Sequence, residues 1–333
     1  MYHRWLDRWD ERRAERSDAV KPLSPFKLDT HLAFPNSAQT EDFAGFCKAA
    51  HQALNDPLFF KRPTDSCDGV KKDGSWLSFP SDIKTDVDPN NIVRARVTDG
   101  GTRERALVVF HHWNATSRQD VIAKFFSKRG ITVVEIAMPY HFERSRPGVL
   151  HAEDMLSANL GRTIQSVRQA VLDGQQLICW LRNEGFGEIS VLGMSLGSWV
   201  AGLVAAHDLR VSKAALFLTA GSLADMVWTG RATRMIRKGL ETHIALPDLR
   251  QAWKPLNLEN HVQKLARPGF GLQVILAKRD TVVLPELSER LLDRLSDTGL
   301  HPDVLWLNCG HYSFAMPPNA VRAGSRLRRL LIK

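Results

Sequence analysis

Three polar residues lie along the chain in the order Ser195, Asp280, His311, and each falls shortly after an apolar run. A serine hydroxyl becomes a nucleophile when a histidine accepts its proton, and that histidine needs an acid to fix its orientation. Serine, then aspartate, then histidine is one of the chain orders in which such triads occur. The pattern therefore predicts acyl-transfer chemistry centred on Ser195.

The surroundings of Ser195 strengthen this prediction. The segment Gly193-Met194-Ser195-Leu196-Gly197 stands between an apolar run at 189–192 and a stretch rich in small residues that favours a helix. A nucleophile between a strand and a helix lies on a tight turn with positive φ, where side chains two residues away would collide. Gly193 and Gly197 would remove both collisions. The alternative is a tight turn that carries an inert serine.

The two partners are predicted from their positions after strands. Asp280 follows the apolar run 272–277, and His311 follows the run 304–307. Parallel strands place their carboxyl ends at one edge of a sheet, so both side chains should lie near Ser195. Asp225 also follows a predicted strand and is the competing acid.

The elements that must position these residues alternate along the chain. Continuous apolar runs separated by helical segments predict a mainly parallel sheet of about eight strands, covered by helices on both faces. The first two runs have no helix between them, so that edge should be antiparallel. The predicted strands are 76–79, 92–97, 106–110, 132–137, 189–192, 214–218, 272–277 and 304–307, and the predicted helices are 118–129, 153–183, 196–208, 285–297 and 317–331.

Two regions interrupt the α/β pattern. Residues 1–70 form an N-terminal extension in which helices are expected at 2–16 and 41–54. Residues 222–266 have aromatic and basic residues without a strand pattern, and they predict a small helical lid above Ser195. The α/β core would then comprise 71–221 and 267–333.

The serine turn, acid loop and histidine loop together resemble the alpha/beta-hydrolase superfamily, in its serine esterase and lipase-like branch, over roughly residues 75–333. The resemblance implies an oxyanion hole made by the backbone amides of Leu196 and His112, with Trp113 as the runner-up for His112. Many relatives have His-Gly where this chain has His111-His112.

Four side chains are candidates for substrate binding. Tyr140 and Arg144 lie in a loop, 138–148, that resembles the Pro-Tyr-x-x-x-Arg loops of some esterase-like relatives. Tyr140 would donate to a substrate oxygen and Arg144 would contact an anionic group, or else the arginines of this loop hold it in place. Trp113 and Trp228 are aromatic candidates beside the oxyanion loop and in the lid.

Composition and charge exclude several other classes. The chain has 333 residues, 44% hydrophobic and 24% charged, as in ordinary globular proteins. Its net charge is +9, but no basic stripe with interleaved aromatic residues points to nucleic acid. The four cysteines form no CxxC pair, and the adjacent His111 and His112 have no third ligand at a suitable spacing. Neither a metal nor an organic cofactor is therefore expected.

The two termini bear on membranes and location. The first sixteen residues are highly charged and lack the apolar core of a secretory signal, which predicts a cytoplasmic protein without a transmembrane segment. Tyr2, Trp5, Leu6 and Trp9 form a helical stripe that should anchor on the protein's own core, the alternative being a peripheral membrane contact. The basic residues after 321 are expected on a solvated helix or, alternatively, at an anionic membrane surface.

Taken together, these features predict a serine hydrolase that cleaves a carboxylic ester through an acyl-enzyme. The substrate would be a small-molecule ester or acyl compound, with lipid and anionic compounds among the candidates. The alternatives are an acyltransferase with the same triad and a non-catalytic binding protein of the same fold.

Overall fold

The computed structural model describes residues 2–18, 21, 23–35, 42–64, 66–67, 69–149 and 151–332, and only the backbone of residues 2, 3, 17 and 18. Within these residues nine strands form one sheet in the order β1-β2-β3-β5-β4-β6-β7-β8-β9. The strands are β1 (Lys71–Asp73), β2 (Trp76–Pro80), β3 (Ile92–Thr98), β4 (Arg105–Phe110), β5 (Ile131–Ile136), β6 (Glu188–Met194), β7 (Val211–Phe217), β8 (Gly271–Ala277) and β9 (Asp303–Leu307). The pairs from β5 through β4 to β9 are parallel, and β1, β2 and β3 make the predicted antiparallel edge.

Eleven α-helices accompany the sheet in the described part of the chain. They are α1 (Tyr2–Asp18), α2 (Thr30–Ala33), α3 (Phe43–Asn55), α4 (Asp120–Ser127), α5 (Leu160–Asn183), α6 (Leu196–His207), α7 (Leu223–Thr229), α8 (Arg234–Leu240), α9 (Leu246–Ala252), α10 (Pro285–Asp297) and α11 (Asn319–Ile332). The predicted helix at 153–183 begins later, because residues 153–155 form a separate 3-10 turn.

The central strands are buried on both faces, as continuous apolar runs require. Alternate residues of each strand point to opposite faces, so Val108 and Phe110 of β4 belong to one hydrophobic cluster and Leu107 and Val109 to another. Helices α5 and α6 cover the first face, while α4 and α11 cover the second. The basic helix α11 is thus a packed amphipathic helix, held by Leu327 and its buried apolar neighbours.

The first strand, β1, is the one that the sequence pattern missed. Its residues Lys71-Lys72-Asp73 are polar and exposed, and they pair with β2 through a hairpin at Gly74. Apolar periodicity cannot detect a strand that buries nothing.

The N-terminal extension and the insertion at 222–266 pack into the body of the protein. Phe46 and Phe60 of the extension and Trp253 of the insertion are at most 1% exposed and belong to the same hydrophobic cluster as the sheet. The indole nitrogen of Trp253 donates to the carbonyl of Leu160 in α5. Trp253 of the insertion is therefore part of the hydrophobic core.

Candidate active site

Ser195 lies on a strained turn between β6 and α6. Its backbone has φ 52° and ψ −123°, a conformation that L-residues rarely adopt. A Cβ atom on Gly193 would overlap the backbone of Gly197, and one on Gly197 would overlap the carbonyls of Phe110 and His111. Glycine at both positions lets the strand turn back into the helix and seats the turn against the end of β4.

Ser195, His311 and Asp280 form one hydrogen-bonded chain. His311 Nε2 lies 3.1 Å from Ser195 Oγ, and His311 Nδ1 lies 2.7 Å from Asp280 Oδ2. An ionised carboxylate only accepts, so the Nδ1 proton points to Asp280 and leaves Nε2 to accept from the serine hydroxyl. The His311 side chain is 11% exposed and that of Asp280 is 2% exposed, so only the serine end of the chain faces an opening.

Asp280 is held by its own loop. Its second oxygen, Oδ1, accepts from the backbone amides of Val282 and Val283, both at 2.8 Å. Three hydrogen bonds therefore fix the plane of this carboxylate, two from the amides and one from the imidazole.

Asp225, the competing acid, lies in a different network. Its carboxylate pairs with Arg250 at 2.5 Å and with Arg290 at 3.0 Å, and Arg290 also pairs with Glu259. These contacts connect α7, α9 and α10 and leave Asp225 a role in packing the insertion.

The loop after β4 is held by two buried histidines, His111, which the sequence analysis weighed only as a metal ligand, and His141. His111 Nε2 accepts from the amide of Met138, and His141 Nε2 accepts from the amide of Asn114 at 3.0 Å. The other ring nitrogens donate to backbone carbonyls. Because the Asn114 amide already has an acceptor, His112 and Trp113 are the loop amides left for an oxyanion hole. The Leu196 amide is the first in α6 and has no acceptor within the helix.

His112 is solvent-exposed and lies near His311. Loss of solvation lowers the pKa of His112 to about 4, and repulsion from the nearby His311 and Arg13 adds to this shift. A neutral His112 places no positive charge against His311 at neutral pH.

Burial of His141 makes the loop sensitive to acid. Loss of solvation lowers the pKa of His141 to about 4, against 6.5 for the unperturbed group. The unfolded chain takes up this proton first as the pH falls, so stability should decrease from pH 6.5 to 4, by up to about 3 kcal/mol from this residue. His141→Gln should reduce that slope in denaturant titrations, whereas His301→Gln on the surface should leave it unchanged. An equal slope in both variants would contradict this account.

The substrate-binding roles expected for Tyr140 and Arg144 are wrong. Tyr140 is 3% exposed, and its hydroxyl accepts from Arg162 in α5 at 3.3 Å. Arg144 is 0% exposed, pairs with Asp173 at 2.9 Å and donates to the carbonyls of Asn90 and Ala137. A buried polar group needs a hydrogen-bond partner inside the protein. The partners of Tyr140 and Arg144 hold both side chains in the interior.

Arg144→Ala should therefore act on stability. Removing one member of a buried ion pair leaves Asp173 uncompensated, and the expected loss is about 3–5 kcal/mol in unfolding free energy. Arg146→Ala is the matched control in the same loop, because Arg146 is 41% exposed in its pairs with Asp86 and Asp154 and should contribute under about 1 kcal/mol. Equal losses in urea titrations would refute the structural role of Arg144.

The two tryptophan candidates differ in position. Trp113 borders a narrow cavity that is also lined by Asn114, Met235 and Ile236, and its indole nitrogen donates to the carbonyl of Ala152 at 3.0 Å. Trp228 is half-buried near the end of α7 and has the guanidinium of Arg237 5.5 Å from its ring centroid. The structure thus brings Trp113, α8 and the oxyanion loop together, and it places Trp228 beside Arg237 of α8.

Two further properties concern the described ranges only. None of their helices is long and apolar enough to cross a membrane. They also contain no group of three histidine, cysteine or acidic side chains arranged to hold a metal ion.

A serine turn on a mostly parallel sheet, with an acid and a histidine at neighbouring strand ends, is the arrangement of the alpha/beta-hydrolase fold, and this chain has that fold. Residues 111–236 match the model of the family described as Alpha/beta hydrolase domain containing 18. The matched stretch contains Ser195 and the oxyanion loop, and ends before Asp280 and His311. No curated protein matches this chain.

Solved structures share the fold at low sequence identity. A puromycin-hydrolyzing peptidase from Mycobacterium tuberculosis has a TM-score of 0.58 and 17% identity over 78% of this chain, which spans only 40% of that protein. The alpha/beta hydrolase GrgF from Penicillium sp. has a TM-score of 0.54 and 16% identity over 78% of this chain and 99% of its own. The esterase Pf2001 from Pyrococcus furiosus has a TM-score of 0.50 and 16% identity over 72% and 88%.

Proposed function

We propose that the protein is a serine hydrolase that cleaves a carboxylic ester through an acyl-enzyme on Ser195. The observation that carries this proposal is the continuous hydrogen-bonded chain from Asp280 through His311 to Ser195. Its last member stands on a strained turn, as a nucleophile requires. An inert serine in a tight turn would need neither the imidazole nor the buried acid behind it.

The proposed reaction proceeds in two half-reactions. Ser195 Oγ forms a bond to the ester carbonyl carbon while its proton passes to His311 Nε2, and the imidazolium is stabilised by Asp280. The C–O bond to the alcohol then breaks, and His311 returns the proton to the departing oxygen. Water repeats the sequence on the acyl-enzyme and releases the carboxylic acid.

The negative charge on the carbonyl oxygen would be stabilised by the amides of Leu196 and His112. Removing one such donor costs about 3–4 kcal/mol of transition-state stabilisation in well-studied enzymes. The positive end of α6 lies at the same point and adds to this effect.

A labelling experiment tests the proposal directly. A fluorophosphonate should modify the wild-type chain, and mass spectrometry should locate the adduct on the peptide that contains Ser195. A series of activated esters with increasing acyl length, then lipid and anionic esters, then an amide, would identify the substrate class. The amide is included because one similar structure is a peptidase.

The outcomes separate the alternatives. Release of the acyl group by water supports a hydrolase, whereas faster release by added alcohol or thiol would identify an acyltransferase with the same triad. No labelling and no ester turnover would leave a non-catalytic binding protein of this fold. Cytoplasmic location stays a prediction that fractionation of cells would test.

A further inference from the structure

The N-terminal helix α1 contacts the chain segments that carry the proposed active site. Asp7 pairs with Arg279, the residue before Asp280, and Glu11 pairs with Arg231 of the insertion at 3.0 Å. Leu6 and Ala14 are buried at 0% and 1% exposure, and they dock the helix on the body of the protein. Within the predicted stripe Leu6 is buried and Trp9 is half-buried, whereas Trp5 is 50% exposed; the side chain of Tyr2 lies outside the described residues.

Asp10, between Leu6 and Ala14 on the same face, is 8% exposed and reaches the loop of His311. Its Oδ1 accepts from the backbone amides of Tyr312 and Ser313, at 2.8 Å and 2.9 Å. Its Oδ2 accepts from the hydroxyl of Ser313 at 2.5 Å, and that hydroxyl accepts in turn from the amide of Gly310. A Cβ on Gly310 would overlap the carboxylate, so glycine there makes room for Asp10.

We propose that Asp10 is a positioning residue for His311, acting through the loop 310–313. This inference rests on the proposed function, because it assigns His311 the role of general base. It goes beyond that function by making α1, more than 300 residues away in sequence, a working part of the site.

The physical reason lies in the backbone amides at the start of a 3-10 turn. A 3-10 turn begins at Ser313, and the first amides of any such turn have no acceptor within it. A helix is usually capped by an acidic or hydroxylic side chain at its own N-terminus. Here Ser313 and Asp10 together supply the acceptors, and charged acceptors make shorter and stronger hydrogen bonds.

This cap determines where the imidazole stands. Gly310 and Tyr312 flank His311, and both backbone amides are fixed, one directly and one through Ser313, by the Asp10 carboxylate. Without it the loop loses two amide contacts and one hydroxyl contact, and only the hydrogen bonds of His311 to Asp280 and Ser195 remain to hold the ring. A misplacement of about 1 Å in a catalytic group can reduce the rate by roughly 100-fold.

The test is Asp10→Ala in the full chain, with an activated ester as the substrate. We expect kcat to fall roughly 10- to 100-fold while KM changes by less than about threefold, because the substrate-binding surface is untouched. The rate of fluorophosphonate labelling should fall by the same factor, since acylation needs the same base. Asp10→Asn keeps an oxygen for the two amides and should recover a large part of the loss.

Two further variants test whether the effect on kcat is specific to Asp10 and its network. Glu15→Ala removes an exposed acid from the same helix and should leave kcat and labelling unchanged. Ser313→Ala removes the hydroxyl that joins Asp10 to Gly310 and should lower kcat on its own. Combined with Asp10→Ala, its effect should be clearly less than additive, as expected for residues of one network.

The results that overturn the proposal are distinct from those that overturn the function. If wild-type protein is labelled and turns over esters, and Asp10→Ala remains folded with kcat within about threefold of it, Asp10 does not position the base. If Asp10→Ala is unfolded at the assay temperature, Ser313→Ala decides, and unchanged kcat in that variant refutes the proposal. A wild-type protein that neither labels nor turns over esters refutes the function instead.

Discussion

Ser195→Ala should lower ester turnover by about 1,000-fold or more and abolish fluorophosphonate labelling. The loss is large because every bond-making step of the proposed mechanism uses Ser195 Oγ. Alanine adopts the backbone conformation of residue 195 as readily as serine does, so the midpoint temperature of unfolding should change little. Turnover measured with a p-nitrophenyl ester, together with circular dichroism, would check both expectations.

Ser288→Ala is the matched control for loss of a buried serine hydroxyl. Ser288 lies in α10. Its Oγ donates to the carbonyl of Thr219 at 2.7 Å and takes no part in the hydrogen bonds that join Ser195, His311 and Asp280. This variant should keep its activity and lose some stability, in the range of about 1–3 kcal/mol for a buried group left without its partner. Activity of Ser195→Ala within tenfold of wild type would rule out Ser195 as the nucleophile.

Asp280→Asn should be far more damaging to turnover than Asp225→Asn. An amide cannot enforce the same histidine tautomer, and the equivalent change in a well-studied triad costs about 10,000-fold in kcat. Asp280 accepts from His311 at 2.7 Å, whereas Asp225 is engaged by Arg250 and Arg290. Comparing kcat for the two variants measures the difference directly.

Asp225→Asn should act on stability instead, and in a pH-dependent way. Burial opposes ionisation of Asp225, but hydrogen bonds from Arg250, Ser222 and Arg290 outweigh it and lower its pKa to about 2. The stabilisation is present above the unfolded pKa near 3.8 and is lost as the pH falls toward 2. Solvent screening of the half-exposed arginines limits it to about 1–2 kcal/mol. A kcat for Asp225→Asn as low as that for Asp280→Asn would contradict both assignments.

Local pattern was sufficient where an element buries a continuous apolar surface. The central strands and the helices that begin at Leu196 and Pro285 were predicted within three residues, because burial on both faces demands uninterrupted apolar runs. The prediction failed at β1, whose lysines bury nothing, and at residues 153–155, where helical periodicity continues through a turn that is not part of α5.

Residues with long polar side chains were the hardest to assign. Arg144 and Tyr140 stand in a loop at the correct edge of the sheet, and only their partners, Asp173 and Arg162, show that they point inward. The sequence around Trp253 is compatible both with a side chain that lines a substrate opening and with one that fills the core, where the structure places it. Such a choice depends on which neighbours are available, and those neighbours are distant in sequence.

The sequence by itself determined the fold class and the strand ends at which Ser195, Asp280 and His311 stand, because a tight turn needs its glycines next to it and parallel strands end at one edge. Only the tertiary structure decided which groups meet across that edge. In the structure Asp280, and not Asp225, is hydrogen-bonded to His311. His141 accepts from the loop after β4, and Asp10, from the other end of the chain, accepts from the loop of His311. Hydrogen bonds of this kind join residues through space, and no periodicity or spacing along the chain records them.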